Sequence, residues 1–351
     1  MITAIDFGHS YVKIVQAEKD GDSIKIINIG KKSIIDDLNK FDIDEISKSN
    51  WVAAIQDLCS EMNIIPKKVK NLITSLSGHH ISIKQLTTLE MQDEELIASL
   101  EFEAKKHIPL DGTEAILDFH ILGQNKDELD KNNVLLIATT KNTVTAHDEI
   151  IKAAGFKSGV FDADAIALSN AYSLFNELPE EGVDVIINIG NKTTTLLCWG
   201  KNHRHFVREL DIAGHHFTMG TMKANNINYE EAEALKIEKG VDAASSSSNA
   251  AEDDDPLAIK VAESTAYSNL VEELRKTLRY YMKTSNGAFF NKFYLTGGAA
   301  TTIGLKEFIA ENLNVDLEIY SPIQTLDESL EVNNPAQYTT ALGMALRGMG
   351  E

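Results

Sequence analysis

The feature that most constrains this chain is a unit it carries twice. Ile5-Asp6-Phe7-Gly8-His9-Ser10-Tyr11-Val12-Lys13-Ile14-Val15 is an apolar run that ends in an acid and a glycine, turns, and continues as an alternating strand. Ile187-Asn188-Ile189-Gly190-Asn191-Lys192-Thr193-Thr194-Thr195-Leu196-Leu197 repeats the pattern in the second half. A glycine after a buried strand lets the backbone approach a ligand with no Cβ in the way. Successive backbone N–H groups in such a turn form a concavity that favours an anion. One copy alone would read as an ordinary hairpin. Two copies, one in each half, predict a clamp with a nucleotide's phosphates between the turns. A third element, Leu295-Thr296-Gly297-Gly298-Ala299-Ala300, joins a predicted strand to a predicted helix. Glycines there let the backbone lie flat against a planar or phosphate group, and a helix N-terminus favours negative charge.

At 351 residues the chain is long enough for two or more domains, and its 43% apolar content suffices for real cores. A formal net charge of −20 argues against nucleic acid as a partner and against electrostatic binding to anionic lipid. Cys59 and Cys198 fall in helix and strand patterns and are expected to be buried free thiols. The first apolar run is broken by Asp6, His9 and Lys13, so it reads as a strand and not as a signal peptide. No stretch approaches the ~20 apolar residues of a membrane span. A soluble, cytoplasmic protein is expected, with no direct membrane insertion and with any membrane association through a partner.

Taken in order, residues 2–32 predict three strands turning at Gly8–Ser10 and Asp20-Gly21-Asp22. Trp51, Ile55, Leu58 and Met62 have helical spacing behind a candidate cap, Asn50, and Pro66 ends that helix. Residues 77–157 predict a compact inserted β-α-β-β-α unit: strand to Leu86, a helix capped by Asp93 and stopped by Pro109, strands at 115–122 and 134–139, and a helix over 142–154. Ala163–Leu178 reads as helix, 183–189 and 204–210 as strands, and 214–224 and 229–239 as helices. The acidic, Ser-rich stretch 240–256 predicts a flexible loop. A long helix follows over 258–284, and Pro335–Met349 predicts a small-residue helix suited to close packing.

Several side chains carry candidate chemistry. Lys13 is placed to reach a phosphate, and Asp6 at the strand end to hold a water on Mg²⁺, a cation that keeps several waters. His203-x-His205 points two imidazoles to one face of a strand, but no further ligand lies nearby in sequence, and exposed histidines are the plainer reading. Surface placement is likewise expected for His79-His80 and His215-His216. There is no Gly-x-Ser-x-Gly, Cys-x-x-Cys or P-loop motif.

The order of elements resembles the superfamily of actin-like ATPases and sugar kinases. Within it the chain resembles, nearly end to end, the PilM family of type IV pilus assembly proteins, relatives of the cell-division protein FtsA. Besides Ile5–Val15, the residues that carry the resemblance are Glu94-Glu95-Leu96 with Glu101-Phe102-Glu103-Ala104-Lys105-Lys106-His107-Ile108-Pro109, Leu117-Asp118-Phe119, Val134–Ala138 with Lys141, Ala154-Gly155-Phe156 leading to Asp162, Tyr229–Lys236, and Leu295–Gly298.

The resemblance implies an actin-like, ribonuclease H-like duplicated two-lobed α/β fold with an inserted FtsA/PilM-type small subdomain. The expected division is 1–76 with 158–182 and 335–351 (first large subdomain), 77–157 (inserted), 183–213 with 287–334 (second large) and 214–286 (second small). It implies ATP and Mg²⁺ between the lobes. Gly8, His9, Ser10, Tyr11 and Lys13 would lie on one side, and Asn188, Gly190, Asn191, Thr193, Thr194 and Gly214 on the other. Glu233 and Lys236 would approach ribose and base, Gly297, Gly298 and Ala299 the adenosine, and Asp164, with Asp6, would be catalytic.

Three departures shape the expected activity. The second hairpin has Asn188 where relatives carry an acid, and an amide supplies neither charge nor a proton acceptor. His9 and Tyr11 are bulky where relatives have small residues, and Asp164 is a methylene shorter than Glu. Nucleotide binding with slow or absent hydrolysis follows.

The implied partner is the N-terminal cytoplasmic peptide of a PilN-type bitopic membrane protein, bound between the first large and inserted subdomains, with Leu72–Leu86 as candidate groove residues. Pilus motor ATPases and the inner-membrane platform are implied indirectly, and self-association is left open. The protein would then be cytoplasmic and peripheral to the inner membrane. Alternatives of the same fold are a secretion-system or FtsA-like scaffold and a small-metabolite kinase.

Overall fold

The structure is a computed structural model and describes residues 1–21, 23–106, 114–126, 128–244, 265–285 and 288–350. The first half contains β1 (Ile2–Phe7), β2 (Tyr11–Asp20), β3 (Ser23–Ser33), α1 (Lys48–Glu61), β4 (Leu72–Leu76), β5 (Ile81–Leu89), α2 (Asp93–Ala104), β6 (Ala115–Gln124), β7 (Lys131–Thr140), α3 (Lys141–Ala153), β8 (Val160–Ala163) and α4 (Asp164–Ser173). The second contains β9 (Val183–Ile189), β10 (Thr194–Trp199), β11 (Phe206–Leu210), α5 (Gly214–Asn225), α6 (Tyr229–Lys239), α7 (Ala266–Thr284), β12 (Phe290–Thr296), α8 (Leu305–Leu313), β13 (Leu317–Ile319), α9 (Pro322–Leu326) and α10 (Thr339–Gly350).

The duplication is explicit in the sheets. One runs β3-β2-β1-β4-β8 and the other β11-β10-β9-β12-β13. In each, a three-strand antiparallel meander continues into two parallel strands. The central strands β1 and β9 are near-continuous apolar runs because helices or loops cover both of their faces. A third, antiparallel sheet, β5-β7-β6, packs Val134, Leu136 and Ala138 against Leu96, Leu100 and Ala104 of α2.

α10 returns to the first lobe and lies on α4 and β1, burying Ala341, Leu342, Met344 and Ala345. Its glycine sets how close the helices come: a Cβ on Gly343 would stand 1.7 Å from the Ala167 carbonyl oxygen. The second-lobe core is closed by the buried face of α7, which includes Leu270, Leu274, Leu278 and Tyr281. Cys59 and Cys198 are free and buried, and burial pushes the Cys59 thiol up to about 11.

Several expectations are corrected at element ends. α1 is capped by Ser47, whose backbone N–H donates to Asn50 Oδ1 at 3.1 Å, so Asn50 is the third helical residue and not the cap. Asp93 is the first residue of α2, behind Gln92. α4 ends at Ser173, short of Leu178. Residues 240–244 form a 3₁₀ turn with Gly240, Ala243 and Ala244 buried, so the loop expected at 240–256 does not begin there. Residues 245–264, 107–110 and 287 lie outside the described residues, and with them the rest of that loop, the Pro109 stop, the start expected for the long helix and one subdomain boundary. β4 is buried along its length, which removes Leu72–Leu76 from any peptide groove.

Candidate functional site: the cleft between the lobes

The turns after β1 and β9 face each other across a cleft of about 330 Å³, within the size range of small-ligand sites. Of the residues expected there, Asp6, Gly8, His9, Ser10, Tyr11, Lys13, Asp164, Asn188, Gly190, Asn191, Thr193, Gly214, Glu233, Lys236, Gly297, Gly298 and Ala299 all line it. Thr194 does not. Its side chain is fully buried and its Oγ1 donates to the Ile212 carbonyl at 2.6 Å. Thr195 takes the cleft-facing position instead, since successive strand residues face opposite sides.

Three of the glycines sit where the backbone comes close to neighbouring atoms. A Cβ on Gly8 would stand 2.5 Å from the Tyr11 carbonyl oxygen, and one on Gly190 would stand 3.0 Å from that of Thr193. Gly297 adopts φ +100°, and its Cβ would stand 2.5 Å from Asn188 Oδ1. Gly298 has open space on its Cβ side, with nothing within 4 Å. The first turn of α5 closes the second-lobe side, with the Gly214 N–H donating to Gly190 O at 3.1 Å and the His215 N–H to Asn191 O at 2.8 Å.

Charges are paired unevenly. Lys13 Nζ meets Asp6 Oδ2 at 2.7 Å. Lys236 Nζ meets Glu233 Oε2 at 2.7 Å and Thr218 Oγ1 at 2.8 Å, which holds this helix pair beside Gly214. Asp164 accepts a hydrogen bond from Ser75 Oγ. Burial, then the neighbouring Asp6, hold its carboxyl well above the usual carboxylate range, against that hydrogen bond. Among the described residues no cluster of three or more His, Cys, Asp or Glu side chains is placed to hold a metal. The donor set for Mg²⁺ is therefore sparse, which suits a cation held largely by water and phosphate.

The bulky residues of the first turn line the cleft and are each held by a neighbour. The His9 ring meets Trp51 edge-on at 6.4 Å, and Trp51 Nε1 donates to Gly8 O at 3.2 Å. Burial, then Lys192, lower the His9 pKa to about 4. Tyr11 lies under the Lys31 ammonium, 4.5 Å from ring centroid to Nζ. Lys31, Ser77, Lys192, Thr301, Thr302, Asn334, Gln337 and Thr340 also line the cleft without having been picked out from the sequence.

The loop before α1 reaches across to the second lobe. Asn39 Nδ2 donates to Glu230 Oε2 at 3.1 Å, and Lys192 Nζ meets Asp44 Oδ1 at 2.7 Å. Phe41 sits edge-on against both His215 and Tyr229, which stack on each other with a 3.0 Å His215 Nδ1–Tyr229 OH hydrogen bond. His215 is thus engaged between lobes and not a plain surface residue. His205 is also buried, 3.2 Å from Ser169 Oγ, with its pKa lowered by burial to about 4, and so is not the exposed residue expected.

The family described as type IV pilus assembly protein PilM matches residues 4–349. The chain belongs to the PilM family of type IV pilus assembly proteins. Among solved structures, a PilM-PilN type IV pilus biogenesis complex is similar with TM-score 0.79 and 21% identity, over 99% of this chain and 98% of that one. The ethanolamine utilization protein EutJ from Carboxydothermus hydrogenoformans is similar with TM-score 0.53 and 12% identity, over 98% and 89%. MreB 5 of Spiroplasma citri, solved bound to AMPPNP, follows with TM-score 0.50 and 11% identity, over 97% and 94%. The fold is thus the two-lobed actin-like α/β fold. No helix among the described residues is long and apolar enough to cross a membrane.

Proposed function

We propose that this pilus assembly protein is a nucleotide-responsive scaffold that binds ATP with Mg²⁺ in the cleft and hydrolyses it slowly or not at all. The observation that carries this is the pairing of a close-fitting glycine cradle with weakened acid–base chemistry. Gly8 and Gly297 leave no room for a Cβ and Gly190 little, while Asp164 sits buried beside Asp6, which raises its pKa, and the second hairpin offers an amide, Asn188. Losing one positioned general base typically costs ~10²–10⁴-fold in rate.

In this reading the backbone of the two turns and Lys13 hold the phosphates, Asp6 holds a metal-bound water, and Glu233, Lys236, Gly297, Gly298 and Ala299 frame ribose and base. The bound magnesium would neutralise phosphate charge. The lobes would divide as 1–76 with 158–182 and 335–351, with 77–157 inserted, and 183–213 with 287–334, with 214–286 as its small subdomain, and nucleotide would bias closure between them.

The partner proposed is a PilN-type bitopic membrane protein, engaged through its N-terminal cytoplasmic peptide. That would place the chain in the cytoplasm, peripheral to the inner membrane. Family membership and the shared fold of a PilM-PilN complex support it. Of the candidate groove segment, Ile81–Leu86 retains partly exposed surface.

Titration calorimetry with ATP and Mg²⁺, followed by single-turnover hydrolysis, tests the first half. Binding with hydrolysis far below that of an efficient ATPase is expected, and rapid turnover would overturn the scaffold reading. A synthetic PilN N-terminal peptide should raise the melting temperature, as any ligand of the folded state does. No shift at saturating peptide would remove that partner.

A further inference from the structure

The first-lobe face of the cleft carries a cation that the duplicated motif does not account for. Register places Asp6 opposite Lys13 and Lys13 opposite Lys31, so three side chains stand in one row across β1, β2 and β3. Residues directly opposite on antiparallel strands share a face. Asp6 and Lys13 offset each other. Lys31 has no carboxylate partner among the described residues; it donates to the neutral Gln337 Oε1 at 3.1 Å and lies over the Tyr11 ring.

A half-buried ammonium without a counter-charge is costly to hold. Burial, then the Lys13 charge, lower its pKa. Acids are not scarce in this chain, which has 53 acidic against 33 Lys and Arg residues. An uncompensated lysine here is therefore a choice of position. Gln337 is itself fixed, with Nε2 donating to Asn333 O at 2.7 Å and Asn334 O at 2.8 Å, so its Oε1 is presented to Lys31. An ammonium has three donors, and Gln337 takes one. The head group lines the same cleft as both turns.

We propose that Lys31 is a phosphate-binding residue, a second lysine on the first-lobe side that recognises the polyphosphate tail of the bound nucleotide and not its base or ribose. The proposal rests on the nucleotide reading above. Gln337 positions the ammonium. Asn334 carries the link onward by donating to Gly298 O at 2.8 Å, so the lysine on β3 is tied to the Gly-Gly turn of the other lobe. The row Asp6–Lys13–Lys31 then has one positive charge in excess, available to an anion.

The test is titration calorimetry on the full chain with ATP, AMP and inorganic tripolyphosphate, comparing wild type with Lys31→Gln, Lys31→Met and Lys31→Arg. Loss of a charge-assisted contact should weaken ATP and tripolyphosphate by about 10-fold or more in the Gln and Met variants, and AMP less, with recovery in Lys31→Arg. Melting temperature without ligand should stay level or rise in Lys31→Gln, whereas a merely structural lysine would lower it. ATP binding within about 2-fold of wild type in a folded Gln or Met variant would overturn the assignment and leave the nucleotide reading standing. Lys31-dependent binding of tripolyphosphate without ATP binding would support Lys31 and sink the nucleotide reading. Failure of the wild type to bind either probe would remove both.

Discussion

The two hairpins at the cleft share a geometry and differ in charge. Asp6 is paired in register with Lys13 across the first; Asn188 is paired with Thr195 across the second. Each has its glycine directly after the strand. The first hairpin carries the Asp6–Lys13 ion pair, the half-buried His9 imidazole and the tighter glycine; the second has an amide and a hydroxyl at the matching strand positions, and its one charged turn residue, Lys192, is paired with Asp44 of the first lobe. The tips touch, with Asn191 Nδ2 donating to His9 O at 3.4 Å. The two hairpins share the backbone that can surround an anion and differ in side chains, so the ion pair lies across the strands of the first hairpin and has no counterpart at the matching positions of the second.

The largest expected test of this contrast is acid stability. The His9 pKa of about 4 lies below the ordinary 6.5. The unfolded chain therefore takes a proton that the folded chain resists. The contribution of His9 is complete above about pH 6.5 and is lost as pH falls toward 4, by roughly 3 kcal/mol. His9→Asn should flatten that limb in denaturant titrations at pH 7 and pH 4.5, leaving the parallel share of His205. The same acid limb persisting in full would show that the first turn is not where the proton enters.

Next come the glycines. Gly8→Ala should cost about 1–3 kcal/mol, because the new Cβ meets backbone, and Gly190→Ala less. Equal losses in paired urea melts would break the asymmetry. Asp164→Asn should act in the opposite sense to His9. A carboxyl whose folded pKa is raised stabilises the fold at low pH and loses that contribution as pH rises through it. The amide variant should therefore gain stability relative to wild type at pH 8 and not at pH 4, as read by thermal melts. The smallest effect is expected at the exposed Lys192–Asp44 pair, where a double-mutant cycle should give about 0–1 kcal/mol, shrinking with added salt.

Much of this site was legible in sequence because its chemistry is local. A strand, an acid, a glycine and a turn lie within a dozen positions, and the same holds for Gly297-Gly298. What escaped detection depends on tertiary approach. Lys31 is one alternating residue in a strand, and only the pairing of β3 with β2 puts it beside Lys13. Gln337 and Asn334 precede a helix whose small residues point to packing; nothing local says that its N-terminal end borders the cleft. The Thr194 error is of another kind. Three threonines in a row carry no parity signal, and one step along a strand reverses the face. The histidines failed because burial is a property of neighbours: His205 lies beneath Trp199, and His215 is wedged by Phe41 from the other lobe.

The loop that carries Phe41 has a consequence for timing. Its three contacts to the second lobe are separate, and each is weak alone. Together they tie the first lobe to the second beside Lys192, a cleft-lining residue, so on the proposed reading a nucleotide passing that side would wait until all three had let go. Such a barrier stands in the way of entry and exit equally. Loosening it, by Phe41→Ala or by salt acting on Asp44, would speed loading and unloading by a common factor and leave the dissociation constant nearly where it was. On that reading the loop would set how long a proposed nucleotide stays, independently of how tightly it is held.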